Sequence, residues 1–344
     1  MTQTPSPSPP VPASPAPMTQ TSSPSPHAVP GPRGRVPRTV VGIACAPYLA
    51  LKVAWICGSR LGIPDGSPLL DDRALMICAN GLTVLMDLAV IVLAALLTRP
   101  WGLRTPARLL VPPMWAASGL LLPIVAGFPL TLLVGALSGD ATADDSAADP
   151  FLRPWVFGVV YGGFIVQALA LGTLFVRYAR DRWGHLWRGR VGDLPPAPGR
   201  CPRAAAVAAG LLALGTVAVH LLWATGSTAG LNTARIQGRS GDFYALEFLN
   251  ALYPALAAAG ALLLVFRWGR ALPVGVPLAF AWLGSGAVAC WGGWLLLGSL
   301  TTLGDAAGRP TGPMYLTYAV HMITGTVVAA LGVRFLKERA GPTP

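Results

Sequence analysis

The chain has 344 residues, of which 53% are hydrophobic and only 11% charged, against roughly 25% charged in a water-soluble domain. That composition excludes an ordinary soluble protein. The net charge of +11 and a pI near 10.1 first suggest a nucleic-acid binder, but the basic residues are spread along the chain by side rather than gathered on one segment, and nucleic acid is excluded as the expected partner.

Residues 1–38 hold 12 of the 34 prolines among many serines, a composition that cannot bury enough apolar surface to fold. A disordered tail is expected, with no apolar stretch resembling a signal peptide. Met1-Thr-Gln-Thr-Pro-Ser-Pro-Ser-Pro returns as Met18-Thr-Gln-Thr-Ser-Ser-Pro-Ser-Pro, so Met18 is a second candidate start.

Beyond the tail, eight apolar segments follow, each near the roughly 20 residues that cross a 30 Å hydrocarbon core. They fall at 39–57, 74–98, 109–135, 154–178, 204–224, 243–266, 274–297 and 315–336. The third contains Pro112, Pro113, Pro123 and Pro129 and is read as one interrupted crossing. The fold expected is all-α, a polytopic bundle of eight transmembrane helices. A tail over 1–38 precedes a first unit at 39–178, a basic linker at 179–203, a second unit at 204–339 and a short end at 340–344. No connection reaches the length of a domain that folds unaided, so any activity lies in the bundle or at its mouths.

Alternate connections collect the arginines. With the amino terminus in the cytoplasm, 18 of 25 basic residues are internal, seven of them in 177–203, and the positive-inside rule then puts both termini in the cytoplasm of a plasma membrane. Anionic inner-leaflet lipid is the expected partner of these arginines. Asp140, Asp144, Asp145 and Asp149 share one outer loop. Protein partners are not legible. The five cysteines show no C-x-x-C spacing and read as buried free thiols, with Cys57 and Cys78 as the one pair whose positions permit a bridge.

The two halves repeat each other. Lys52-Val-Ala-Trp55-Ile-Cys-Gly58-Ser59-Arg-Leu-Gly62 matches His220-Leu-Leu-Trp223-Ala-Thr-Gly226-Ser227-Thr-Ala-Gly230; Asn80 matches Asn250; Trp115-Ala-Ala-Ser118-Gly119 matches Trp282-Leu-Gly-Ser285-Gly286. The fourth segments end alike, at Val176-Arg177-Tyr178 and Val333-Arg334-Phe335. Four crossings per unit is even, so the two four-helix repeats are expected to be parallel, related by an axis along the membrane normal. Trp55 and Trp223 are read as outer interfacial anchors and the Gly-Ser-x-x-Gly runs as helix ends. Gly284-Ser-Gly286 and Gly158-Val-Val-Tyr-Gly162 are read as close helix contacts.

Polar side chains inside these segments are the candidate site. A charge at mid-bilayer costs about 2.5–3.5 kcal/mol on insertion scales and needs a partner, water or neutralisation. Asp87 lies near the midplane, and Lys52 sits below the outer end of the first helix. Side chains lean toward the amino terminus of their own helix, which tips Lys52 inward and Asp87 outward; an ion pair is expected, with a snorkelling Lys52 and a protonated Asp87 as the alternative. The second half offers His220, Glu247, Asn250 and His321 in the outer third beside Tyr318 and Tyr161, with Asn80 in the first half. Three readings stand: hydrogen-bonded structural groups, a substrate or proton path, or a metal or haem site on the histidines. No cofactor is expected. Phosphate loop, H-E-x-x-H and G-x-S-x-G motifs are absent.

At Tyr48-Leu-Ala-Leu-Lys-Val-Ala-Trp55 and His220-Leu-Leu-Trp223-Ala-Thr-Gly226 the chain resembles a group of uncharacterised multi-pass membrane proteins of actinobacteria. The resemblance covers about residues 40–340 and implies no established activity. Some similar chains are labelled aromatic ring-opening dioxygenases, yet two of the four histidines, His27 and His185, fall outside any span. The expected role is a structural or interacting membrane protein. The alternatives are a small transporter or channel with a polar cavity between the repeats, and an intramembrane redox or metal enzyme.

Overall fold

The computed structural model describes residues 35–65, 67–70, 72–138, 152–195, 199–300 and 307–341. Residues 1–34 of the proline-rich tail and the acidic loop at 139–151 lie outside those residues, while 35–38, expected in the tail, begin the first helix. The described chain is all-helical, without strands: α1 Arg35–Ile56, α2 Arg73–Thr98, α3 Ala107–Ser138, α4 Pro154–Trp183, α5 Arg200–Ala224, a short α6 Thr233–Gln237, α7 Gly241–Phe266, α8 Gly275–Gly298 and α9 Gly312–Ala340. Seven of these, α2 to α5 and α7 to α9, are long and apolar enough to cross a bilayer, as a multi-pass membrane protein requires. In α1 the apolar part is shorter, Cys45–Ile56. The third segment is one helix through all four of its prolines.

Four of the described helices, α2, α6, α7 and α9, start at a side chain that satisfies a free backbone amide. Asp72 accepts from Leu75 N, Asn232 from Arg235 N, Ser240 from Phe243 N and Thr311 from Met314 N. After α1 and after α5 the chain turns in the same way. Trp55 Nε1 donates to Leu61 O at 2.8 Å and Trp223 Nε1 to Ala229 O at 2.9 Å. Leu61 N donates to Ser59 Oγ, and Ala229 N to Ser227 Oγ. Gly58 and Gly226 take φ of 96° and 101°, Gly62 and Gly230 76° and 79°, left-handed values that suit glycine. The tryptophans are therefore not the interfacial anchors expected. Both are buried, because each indole stitches its helix end to the following loop.

The bundle is held by small residues at helix crossings, as expected where lipid supplies no hydrophobic drive between helices. α3 and α8 meet at Gly119 and Gly286, and the crossing is reciprocal. Trp115 Nε1 donates to Ser285 Oγ at 3.0 Å, and Trp282 Nε1 to Ser118 Oγ at 2.9 Å. α7 and α8 form a tight seam: a Cβ on Gly260 would lie 2.3 Å from Ala281 N, and one on Gly284 2.3 Å from Ala257 N. Gly284 and Gly286 thus pack closely. Gly158 and Gly162 do not, since nothing lies within 4 Å of a Cβ at either; four-residue spacing puts them on one face, but no helix among the described residues meets them there.

The basic segment after α4 is folded. Val191 N donates to Leu272 O, Gly192 N to Arg270 O and Val274 N to Gly189 O, which ties the segment joining the halves to the α7–α8 turn. All five cysteines are free, as expected, but Cys57, Cys78 and Cys201 are exposed rather than buried.

Candidate functional site

The intramembrane polar groups form two centres, one in each half. In the first, Lys52 Nζ on α1 lies 2.8 Å from Asp87 Oδ2 on α2, with both side chains at least nine-tenths buried. The ammonium also sits over two rings, 4.9 Å from the Tyr48 centroid and 5.3 Å from that of Phe164, so its charge is spread against carboxylate and π-faces together. Tyr48 Oη lies within hydrogen-bonding reach of Gln167 Oε1 and, at 3.4 Å, of Asp87 Oδ1. A phenol has one proton to give, and Gln167 is the closer acceptor. Cys45 Sγ also donates to Gln167 Oε1, at 3.6 Å.

Beside this network lies a cavity of about 380 Å³. Lys52, Asp87 and Gln167 are its charged and amide groups, and the remaining wall is mostly apolar and aromatic. α2 contributes Thr83 and Val90, α3 contributes Ala117 and Leu121, and α8 contributes Trp291 and Trp294. This combination, a few convergent polar groups in an apolar wall above about 300 Å³, is the usual form of a small-molecule site. The cavity belongs mainly to the first half; only the two α8 tryptophans come from the second. Tyr161, expected among the histidines, lines this cavity instead.

The second centre is a chain of contacts. Glu247 on α7 accepts from both sides: its Oε2 lies 2.5 Å from His220 Nδ1 on α5, and its Oε1 3.2 Å from Arg235 Nη1 on α6. His220 stacks on His321 of α9 with centroids 5.1 Å apart, and Trp223 meets it edge-on. His220 Nε2 and His321 Nε2 are buried and make no hydrogen bond among the described residues. Two imidazoles with a carboxylate bridged to arginine can hold and move a proton. As a metal centre the set is short of ligands, since both Glu247 oxygens are engaged, and the described residues contain no group of three or more candidate ligands.

The two centres do not merge, because none of His220, Glu247 or His321 lines the cavity. Asn80 joins neither, its amide donating to Met76 O within its own helix, and Asn250 is half-buried on α7. Sequence reasoning missed Tyr48, Gln167 and Arg235. Gln167 carried a signal, as an amide amid apolar residues of the fourth span. Arg235 carried none, for its reach depends on how the segment between α5 and α7 folds.

Comparison with protein-family models, curated proteins and solved structures yields no match.

Proposed function

We infer that the chain is an eight-span plasma-membrane protein built from two parallel four-helix repeats, with both termini cytoplasmic, that binds a small molecule inside the bilayer. The carrying observation is the cavity beside Lys52 and Asp87, where a buried ion pair adjoins space for a ligand. A charge pair needed only for packing would be closed over.

The eighth span is α1, whose 22 residues rise about 33 Å at 1.5 Å each. Duplication is supported by the matching turns after α1 and α5 and by the reciprocal Trp–Ser bonds between α3 and α8. Residues 115 and 118 touch 285 and 282 in exchange, which is the pattern of a two-fold axis through that crossing. The arginine distribution supports the orientation and an inner leaflet rich in anionic lipid.

Transport of the bound molecule is the reading we favour, ahead of a purely structural or interacting role. Reconstitution tests it. Native mass spectrometry of the protein released with its lipids should show a retained small molecule, and Ala117→Trp, which fills the cavity, should remove it. The same adduct in both proteins would overturn the assignment. Uptake into vesicles that Asp87→Asn abolishes would add transport to binding.

A further inference from the structure

We propose that the cavity takes an uncharged lipophilic molecule bearing one hydrogen-bond-accepting oxygen, admitted from the lipid phase between α2 and α3. This rests on the ligand-binding reading and on the duplication.

The second half contains the closed form of the same seam. Ala257 and Gly260 on α7 meet Ala281 and Gly284 on α8 at backbone distance. The repeat offsets of 170 for this helix and 167 for the next carry Ala257 to Asp87, Gly260 to Val90 and Gly284 to Ala117. All three first-half residues line the cavity, and so does Thr83, the counterpart of Tyr253. A carboxylate and a valine stand where alanine and glycine let the helices touch. The gap thus arises from side chains at positions that elsewhere seal the fold, and α2 stands off α3 at mid-membrane depth.

The polar groups define the ligand. Lys52 has three N–H groups and gives one to Asp87; Gln167 Oε1 accepts from Tyr48 and Cys45, which leaves its NH₂ without a hydrogen bond among the described residues. Lys52 and Gln167 therefore offer donors to the cavity, beside the Asp87 carboxylate as its acceptor. The Lys52 charge is already balanced by Asp87, so a carboxylate ligand would meet Asp87 and an amine would meet Lys52, each with like-charge repulsion. An uncharged carbonyl, ester or hydroxyl oxygen meets neither penalty. Tyr161, Phe164, Trp291 and Trp294 surround the rest, and about 380 Å³ is roughly a dozen water volumes at about 30 Å³ each. The body is apolar and of about that size. Access from the lipid follows from the walls, since the two helices that flank the gap both face outward through Leu85, Leu88, Leu132 and Leu133.

Photolabelling in nanodiscs tests this with four twelve-carbon diazirine probes that differ only at one end: methyl ketone, alkane, carboxylate and amine. The ketone should label α2–α4 peptides saturably, at a half-saturating concentration at least about 10-fold below the alkane, the worth of a hydrogen bond to a charged donor. Removing the ion pair with Lys52→Leu and Asp87→Leu together should shrink that difference while keeping the cavity, and the triple variant that also carries Gln167→Leu should erase it. Gln167→Leu, which leaves the ion pair intact, should shrink it. Equal ketone and alkane labelling at the cavity, or preference for carboxylate or amine, would overturn the ligand class and leave the site standing. Absence of saturable labelling by every probe would overturn the site as well.

Discussion

Gly119→Ala should be among the most damaging single-methyl additions in this protein. A Cβ there would lie 2.3 Å from Gly286 O, 2.4 Å from Gly286 C and 2.8 Å from Gly286 Cα, all backbone atoms of a packed helix. Ordinary C···O contact begins near about 3.3 Å, so α3 and α8 must part by about 1 Å. Overpacking of that kind costs about 1–3 kcal/mol. The same movement stretches the Trp115–Ser285 and Trp282–Ser118 bonds, now 3.0 and 2.9 Å, beyond useful range. Hydrogen bonds between membrane helices average about 0.6 kcal/mol, so the total expected is about 2–4 kcal/mol. Gly286→Ala should be milder, because its Cβ would come no nearer than 3.2 Å to Gly119 Cα and Trp115 O. Gly81→Ala, with nothing within 4 Å, is the control and should change stability by under about 0.5 kcal/mol. Equilibrium unfolding in mixed detergent micelles measures all three. If Gly119→Ala is as harmless as Gly81→Ala, the α3–α8 crossing described above is wrong.

Trp55→Phe and Trp223→Phe each delete an indole donor to a loop carbonyl and should cost about 0.5–1.5 kcal/mol, alike within error; a large cost at one and none at the other would break the equivalence of the turns. Glu247→Ala should cost about 1–3 kcal/mol, because Arg235, one-third exposed along its side chain, can turn to water; a loss of 4 kcal/mol or more in the same unfolding assay, which is about the cost of stranding a buried charge, would refute that relief. In single-cysteine proteins, an impermeant maleimide added to intact cells should label Cys57 and spare Cys201 until the cells are permeabilised. Both residues are exposed, so the reverse pattern would invert the proposed orientation.

The helices were legible in the sequence because lipid demands uninterrupted apolar length, and Arg-rich connections marked where they end. Lys52 and Asp87 were legible as partners because helix geometry tips their side chains together. The cavity was not. It depends on α2 and α3 failing to close, and nothing in the periodicity of either helix tells a lipid-facing Val90 from one facing a void. Gly158 and Gly162 misled for a related reason: spacing identifies a smooth face, but only packing decides whether another helix uses it. The tryptophans at 55 and 223 were misplaced because composition at a helix end suits an interfacial ring and a buried staple equally.

Lys52 and His220 occupy matching places, three residues before a tryptophan, yet they reach in opposite directions. Asn80 on α2 and Asn250 on α7 are the positions the proposed repeat pairs at one level. Asp87 lies seven residues after Asn80, about 10 Å along the axis, and Glu247 three residues before Asn250, about 5 Å in the opposite sense. Only a long side chain covers the first span, while an imidazole suits the second, where Glu247 also meets Arg235. Length, not charge alone, therefore fixes which residue serves each half. Lys52→Arg should keep the ion pair and most of the stability. Lys52→His should do no better than Lys52→Met, each losing about 3–5 kcal/mol because Asp87 is left buried and unpaired, and Asp87→Leu should restore either one. Unfolding measurements on this series decide the point: a Lys52→His protein as stable as wild type would mean that the helices slide to bring short partners together, and that reach is not what separates the two centres.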